Sequence, residues 1–175
     1  MKLSDYLWDF IADQGVKHVF MVPGGGCMHL VDSLGQNKRL TYVNCMHEQA
    51  AGLTAEAYAQ FNGLGVCLVT SGPGGTNAVT ACASAWCNSM PVLFISGQVN
   101  TWQMKTEGQR YNGMQELDIC SVVARIVKQA SRWKKMGHRI PLKAELEDLV
   151  YLAKKPRQGP VWLDIPLDVQ AVEIG

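Results

Sequence analysis

The chain lacks an excess of charge of either sign, since 16 lysines and arginines face 15 aspartates and glutamates, for a formal net charge of +1. This balance excludes a strongly basic protein of the kind that binds nucleic acid or acidic membranes. The chain has no apolar run of the roughly 18 residues that a membrane-spanning helix needs, and no apolar run of the signal-peptide type follows Met1. We therefore expect a soluble cytoplasmic protein whose partners are small molecules or other proteins, with no nucleic acid and no membrane.

Cysteines at metal-binding or redox spacing are also missing. None of the six forms a C-x-x-C pair, and none clusters with the four histidines. Most lie in apolar or small-residue runs, which is typical of reduced, buried thiols in a cytosol. No metal site is therefore predicted, and Cys82 and Cys87 are interpreted as core thiols of a helix.

Strand-like and helix-like segments alternate along the 175 residues, which predict a single domain spanning residues 1–175. The strands are continuously apolar and the connections are short, a pattern that indicates a parallel sheet covered on both faces. We expect an α/β fold of three layers, with an open, mainly parallel sheet of about six strands and helices on both faces. The predicted strands are residues 18–22, 40–44, 64–69, 91–95, 128–134 and 161–165, and helices are predicted before the first strand and at 28–34, 47–61, 78–88, 117–127 and 142–153.

Three features are predicted at the carboxyl edge of this sheet, where ligands bind in open α/β folds. They are the glycine loop (residues 23–26, PGGG), Glu48 at a strand-to-helix junction, and the serine turn (residues 71–77, SGPGGTN). Glycines allow backbone N–H groups to approach a ligand closely. Glu48 taken alone is explained as a first-turn acid that the helix dipole favours. Two glycine-rich turns beside it favour a ligand site.

Neither glycine-rich segment completes a nucleotide motif. His29 occupies the position where the dinucleotide fingerprint needs its third glycine, and the serine turn lacks the Gly-Lys-Ser/Thr of a P-loop. A nucleotide-binding α/β protein therefore stays an alternative with weak support.

Four segments together resemble the pyrimidine-binding domain of thiamine-diphosphate enzymes, and the acetolactate synthase-like branch most closely. They are HEQAA at residues 47–51, AEAYA at 55–59, SGPGGTN at 71–77 and GPVWLDIP at 159–166. The resemblance extends from about residue 2 to residue 168. It implies thiamine diphosphate as the cofactor and a small 2-oxo acid as the substrate of a decarboxylase or carboligase.

The resemblance implies that Glu48 is catalytic and hydrogen-bonds N1′ of the cofactor's aminopyrimidine. A proton given to N1′ favours the imino tautomer, whose exocyclic nitrogen then removes the C2 proton of the thiazolium. The same resemblance implies five cofactor-binding positions, which are Pro23, Gly24, Gly25, Thr70 and Asn77. Of these, Gly25 is expected to face the substrate side.

Three substrate-side positions are also implied by the resemblance, each with a structural alternative. Gln115 is equally well explained as a helix-entry residue, Lys128 as a solvated strand end, and His47 as a hydrogen-bonding residue at a helix start. Residues 100–112 are polar and aperiodic, so we expect a mobile loop. Its Trp102 and Met104 are expected either to order over the site or to lie at an interface.

The Gly-Asp-Gly start and downstream asparagine that hold Mg²⁺ in the second domain of these enzymes are absent from the chain. The resemblance therefore implies half a cofactor site, with Mg²⁺ supplied by a missing diphosphate-binding domain, and with the central domain missing too. We expect little activity from the isolated chain, and a homo- or hetero-oligomer. A split subunit, a fragment of a longer enzyme and a non-catalytic binding domain all stay open.

Overall fold

The computed structural model describes residues 1–133 and 142–174. Six strands form one open sheet in the order β2-β1-β3-β4-β6-β5, and every neighbouring pair is parallel. This confirms the predicted α/β class and the number of strands. The strands are β1 (His18–Met21), β2 (Thr41–Asn44), β3 (Gly65–Val69), β4 (Val92–Gln98), β5 (Ala130–Arg132) and β6 (Val161–Pro166).

The helices alternate with these strands and return the chain to the same end of the sheet each time. The longest helix ends at Gly63, whose left-handed conformation (φ 79°) places it where a side chain would be strained. No helix in the described parts of the chain is long and apolar enough to cross a membrane. The helices are α1 (Leu3–Asp13), α2 (Met28–Gln36), α3 (Glu48–Asn62), α4 (Pro73–Asn77), α5 (Val79–Cys87), α6 (Ile119–Val123), α7 (Leu142–Lys154) and α8 (Leu167–Gln170), with 3-10 turns at Gly25–Cys27 and Thr101–Gln103.

Two apolar cores lie on opposite faces of the sheet because successive strand residues point to opposite sides. One core packs α1, α2, α7 and α8 against strand residues such as Val66 and Leu68. The other packs α3, α5 and α6 against the alternate residues, including Cys67 and Val69. The predicted covering of the sheet by helices on both faces is therefore confirmed.

Some boundaries differ from the sequence prediction. β4 continues to Gln98 instead of ending at residue 95, because the Ser96 hydroxyl and the Gln98 amide find buried hydrogen-bond partners. The serine turn, which the sequence predicts as a glycine-rich turn after the strand, contains a short helix, α4 (Pro73–Asn77), with proline in its first turn. The helix expected at 117–127 covers only Ile119–Val123, and the strand expected at 128–134 is Ala130–Arg132, with position 134 outside the described residues.

Residues 100–112 are tied down at several points. The Glu116 carboxylate accepts the backbone N–H groups of Lys105 and Asn112, each at 2.7 Å. At the start of the segment the Asp168 carboxylate accepts the Thr101 hydroxyl and backbone N–H. Mobility of this loop stays a prediction.

Candidate functional site

Glu48 opens α3 immediately after β2, at the carboxyl edge of the sheet. His47 is the N-cap of this helix, and its Nδ1 accepts the Gln49 backbone N–H at 3.1 Å. The cap satisfies one of the free donors at the helix start, and the dipole of the helix favours the acid in the first turn. Only 9% of the Glu48 residue is exposed. The helix start thus holds an acid in a nearly closed setting.

Among the described residues, the Glu48 carboxylate has one polar partner, which binds Oε2 and leaves Oε1 free. Asn77 at the end of α4 donates from Nδ2 to Oε2 at 3.0 Å. Within residues 1–133 and 142–174, no other side chain hydrogen-bonds this carboxylate. Oε1 lies 3.6 Å from where a Cβ on Gly74 would stand, so the absence of a side chain there keeps space beside it. The free oxygen can exchange a proton with a ligand.

Thr70 follows β3 and packs against both glycine-rich segments. Its Oγ1 accepts the Gly26 N–H at 3.0 Å. A Cβ on Gly24 would lie 2.5 Å from the Thr70 Cβ, and a Cβ on Gly74 would lie 2.7 Å from its Cγ2. Glycine is required at these two positions because the threonine occupies the space of a side chain. Thr70 therefore joins the glycine loop to the serine turn beside Glu48.

The outer side of the glycine loop is open. A Cβ on Gly25 would meet no atom within 4 Å, and Pro23 is exposed. Pro23 also lines a cavity of about 380 Å³ that lies between α2 and β2. An exposed backbone of this kind can approach a flat ring closely.

Gln115 lies next to the serine turn. It is a non-glycine residue in the left-handed region (φ 62°), and Gly72 opposite it is also left-handed (φ 56°). A side chain on Gly72 would collide with the Gln115 carbonyl oxygen, so only glycine fits there. The Gln115 side chain itself is exposed. The structure thus brings Gln115 to the same edge of the sheet as Glu48, and its substrate-side role stays a prediction.

Lys128 lies at the opposite edge of the sheet, because it precedes β5 and all strands run the same way. Its Nζ donates to the backbone carbonyl oxygens of Lys155 and Arg157, each at 2.7 Å. Burial, and then the charge of Lys155, lower the pKa of Lys128. The structure does not bring Lys128 together with Glu48 within this chain.

Three residues beneath the site were not singled out from the sequence. The Gln170 amide donates to the Gly26 carbonyl oxygen at 2.7 Å, and Gly97 gives the glycine loop room against β4. A glycine followed by a polar residue, Gly97 and Gln98, at the end of an apolar strand is a sequence pattern that could have indicated these two residues. No sequence pattern indicated Gln170, because 144 residues separate it from Gly26.

In the part of the chain that the structure describes, no group of three His, Cys, Asp or Glu side chains is arranged to hold a metal ion. The Glu48 carboxylate and the glycines beside it suit an organic ligand with ring nitrogens.

Comparison with known proteins gives a consistent relationship. The family model described as "Thiamine pyrophosphate enzyme, N-terminal TPP binding domain" matches residues 1–122. The acetolactate synthase isozyme 1 large subunit of Escherichia coli (strain K12) is 35% identical over 168 residues, which cover 95% of this chain and 28% of that protein. The isozyme 3 large subunit of the same organism is 39% identical over 160 residues, which cover 91% and 26%.

The acetolactate synthase large subunit of Lactococcus lactis subsp. lactis (strain IL1403) is 35% identical over 176 residues, which cover 98% of this chain and 28% of that protein. The chain thus spans little more than a quarter of the length of these relatives. The matched region contains the glycine loop, Glu48 and the serine turn, which the fold gathers at one edge. The chain belongs to the family of thiamine pyrophosphate enzyme N-terminal TPP-binding domains.

Proposed function

We propose that this chain is the pyrimidine-binding part of a thiamine-diphosphate-dependent enzyme of the acetolactate synthase type. It acts with a diphosphate-binding domain, in the same polypeptide or in another, to decarboxylate a 2-oxo acid and join carbon units. The proposed catalytic residue is Glu48. The proposed cofactor-binding positions are Pro23, Gly24, Gly25, Thr70 and Asn77.

One observation carries this proposal: a carboxylate that is 9% exposed has a free oxygen between two glycine-rich turns. An acid held in this way can share a proton with a ring nitrogen of an aminopyrimidine. The single hydrogen bond from Asn77 orients Oε2 and leaves Oε1 for the ligand. A carboxylate whose oxygens were all satisfied within the protein would have no such capacity.

The residues present fit the aminopyrimidine end of thiamine diphosphate. The open backbone at Gly25 offers a surface for the flat ring, and the Glu48 carboxylate offers a partner for a protonated ring nitrogen. When bound, the cofactor supplies the electron sink for carbon–carbon bond cleavage and formation. Glu48 holds the proton at its carboxyl group, orients the ring, and is itself oriented by Asn77.

The anchoring of the diphosphate is assigned to the partner domain. Mg²⁺ prefers hard oxygen ligands, and we propose that the partner supplies them. Exposed apolar side chains lie just before Glu48 and along α3, and we propose that the diphosphate-binding domain covers them. The most exposed of these are Met46 (101%), Leu53 (39%) and Phe61 (87%).

The compartment is also a proposal. All six cysteines are free in the structure, and burial raises the pKa of five of them (Cys27, Cys45, Cys67, Cys82 and Cys120). Buried thiols without disulfides are typical of a reducing compartment. We propose the cytoplasm.

Reconstitution tests the proposed function. The chain is mixed with a diphosphate-binding partner, thiamine diphosphate and Mg²⁺, and release of CO₂ from a 2-oxo acid is followed. We expect turnover only when all components are present, and none with the Glu48→Ala chain. The genomic neighbourhood supplies the partner, because a reading frame with Gly-Asp-Gly and a downstream asparagine identifies it.

Two other results would contradict the proposal. A stable complex without turnover, unaffected by Glu48→Ala, would indicate a binding domain of the same fold. Binding of NAD or ATP by the isolated chain, measured by calorimetry, would indicate a nucleotide-binding protein.

A further inference from the structure

A buried ionic network joins β4, β5 and β6 near the carboxyl edge. Asp164 is completely buried, and its carboxylate accepts from Ser96 Oγ (2.7 Å), Gln98 Nε2 (3.1 Å) and Arg132 Nε (2.6 Å). Arg132 also donates from Nη2 to Asp118 at 2.7 Å. A carboxylate buried this deeply persists because it is paired and hydrogen-bonded. The proposed function does not use this network.

The network holds one short segment of the site edge, residues 115–118, here called the Gln115 segment. The Gln98 amide that binds Asp164 also donates to the Leu117 carbonyl oxygen at 2.7 Å. Arg132 reaches the last residue of the segment through its ion pair with Asp118. Both links therefore start at the buried carboxylate and end on the same four residues.

The other side of the Gln115 segment contacts the serine turn. The Gln115 carbonyl oxygen fills the space beside Gly72, and a Cβ on Gly75 would lie 3.2 Å from two carbons of Ile119. The serine turn in turn carries Asn77, the hydrogen-bond partner of Glu48. The segment therefore lies between the buried network on one side and the serine turn on the other.

We propose that Asp164, Arg132 and Gln98 are positioning residues that hold the Gln115 segment against the serine turn and so set the place of the Gln115 side chain at the site. Three donors occupy the Asp164 carboxylate, which leaves it a structural acceptor and not a proton carrier. The consequence for substrate binding rests on the proposed function. The consequence for the segment itself does not.

Hydrogen–deuterium exchange of the chain tests the positioning role directly. Gln98→Met removes both amide donations and the acceptor of the Val99 N–H without changing charge, and circular dichroism checks that the variant is folded. The Glu116 and Ile119 amides, which donate to Gly113 and Leu117, are expected to exchange about tenfold faster, which corresponds to the loss of roughly one net hydrogen bond. The Val22 amide, which follows β1 and donates to the Leu68 carbonyl oxygen, is expected to keep its exchange rate.

Arg132→Met is the second variant, and Arg132→Lys is its conservative counterpart. We expect Arg132→Met to speed exchange in the same segment and Arg132→Lys to restore much of the protection, because the cation is kept. Arg39→Met, which breaks an exposed ion pair with Asp13, is the matched control. We expect it to leave unchanged the exchange rates of the Glu116, Ile119 and Val22 amides. Unchanged exchange at Glu116 and Ile119 in folded Gln98→Met and Arg132→Met would overturn the inference.

Kinetics in the complex with the diphosphate-binding partner give the functional readout. Gln98→Met is expected to raise KM for the 2-oxo acid about tenfold while kcat stays within about threefold, because a misplaced side chain weakens binding more than chemistry. KM for thiamine diphosphate is expected to stay unchanged. The inference would be overturned if KM for the 2-oxo acid, KM for thiamine diphosphate and kcat all worsened by the same factor. Absence of turnover in the unaltered complex would instead contradict the proposed function, and the exchange result would still decide the positioning role.

Discussion

Helix α3 carries two buried glutamates, Glu48 and Glu56, that are chemically alike. The first is 9% exposed and the second 5%. Each accepts a hydrogen bond from an asparagine amide, Asn77 at 3.0 Å and Asn88 at 2.7 Å. A carboxylate–amide pair on this helix is therefore not by itself the sign of a functional site.

The two pairs differ in their surroundings. Glu48 lies at the carboxyl edge, between two glycine-rich turns that leave room for a ligand next to its free oxygen. Asn88, the partner of Glu56, also contacts Ser84 and lines a broad cleft of about 760 Å³ that includes Gln60. The position of Glu48 on the sheet and the neighbouring glycines, more than its pairing with an asparagine, therefore support its proposed role.

Substitution of the two acids should break this comparison most strongly. In the complex with its diphosphate-binding partner, Glu48→Gln is expected to slow C2 proton exchange of thiamine diphosphate about 10²–10⁴-fold, the range for loss of an acid–base group. Glu56→Gln should leave the exchange within about threefold. Both glutamines can still accept the asparagine amide, so both variants should fold.

Proton exchange at C2 is measured by NMR after rapid quenching, and circular dichroism checks folding. An equal decrease of the C2 exchange rate in the two variants would show that the two glutamates have the same role, and would contradict a special role for Glu48.

The thiols near the two regions should also react differently. Cys27, beside the glycine loop, donates to the Gly24 carbonyl oxygen at 3.3 Å, and burial raises its pKa to about 11. At pH 8 its thiolate fraction is about a hundredfold below that of an ordinary thiol, since two pKa units separate them. Cys87, next to Asn88, is exposed because it is the last residue of α5, so its interpretation as a core thiol was wrong, whereas Cys82 is buried as predicted. Iodoacetamide should modify Cys87 about a hundredfold faster, as measured by peptide mass spectrometry.

The raised pKa of Cys27 also predicts the pH dependence of stability. The folded thiol keeps its proton above the ordinary value of 9.0, up to about 11. Its contribution to the free energy of unfolding is therefore complete below pH 9 and falls as the pH rises towards 11. The slope in this range should be shallower in Cys27→Ala, and an identical slope would contradict the assignment. Similar alkylation rates of the two cysteines in the folded chain would contradict it as well.

The smallest expected effect concerns the glycine loop. Gly24→Ala should lower the free energy of unfolding by about 1–3 kcal/mol, because the new methyl group would overlap Thr70. Gly25→Ala meets no atom within 4 Å and should change stability by less than about 0.5 kcal/mol. Urea denaturation measures both. Equal costs would show that the loop does not pack as the structure has it.

The succession of strands and helices along the chain was predictable, because each apolar run was bounded by glycine, proline or polar residues. Glu48, the glycine loop and the serine turn were also predictable, since parallel topology places every strand-to-helix turn at one edge. The end of β4 was not. Ser96 and Gln98 are polar, and only their buried bonds to Asp164 explain why the strand continues through them.

Lys128 shows the limit of reasoning from motifs. Its sequence position resembled a substrate-side residue, yet the direction of β5 puts it at the far edge, where it binds two carbonyl oxygens. Within one chain, an ammonium engaged there cannot also reach the Glu48 edge. A substrate role for Lys128 stays a prediction that requires another copy or domain.

The fold class, the family and the acid at the strand-to-helix junction can be read from the sequence, because apolar periodicity and glycine positions are local properties. Which groups meet depends on the tertiary structure. It joined Asn77 to Glu48, Thr70 to both glycine turns, and Asp164 to Arg132 across 32 residues. Such pairings depend on strand order and on burial, which make a hydrogen bond between distant residues necessary and which no single segment encodes.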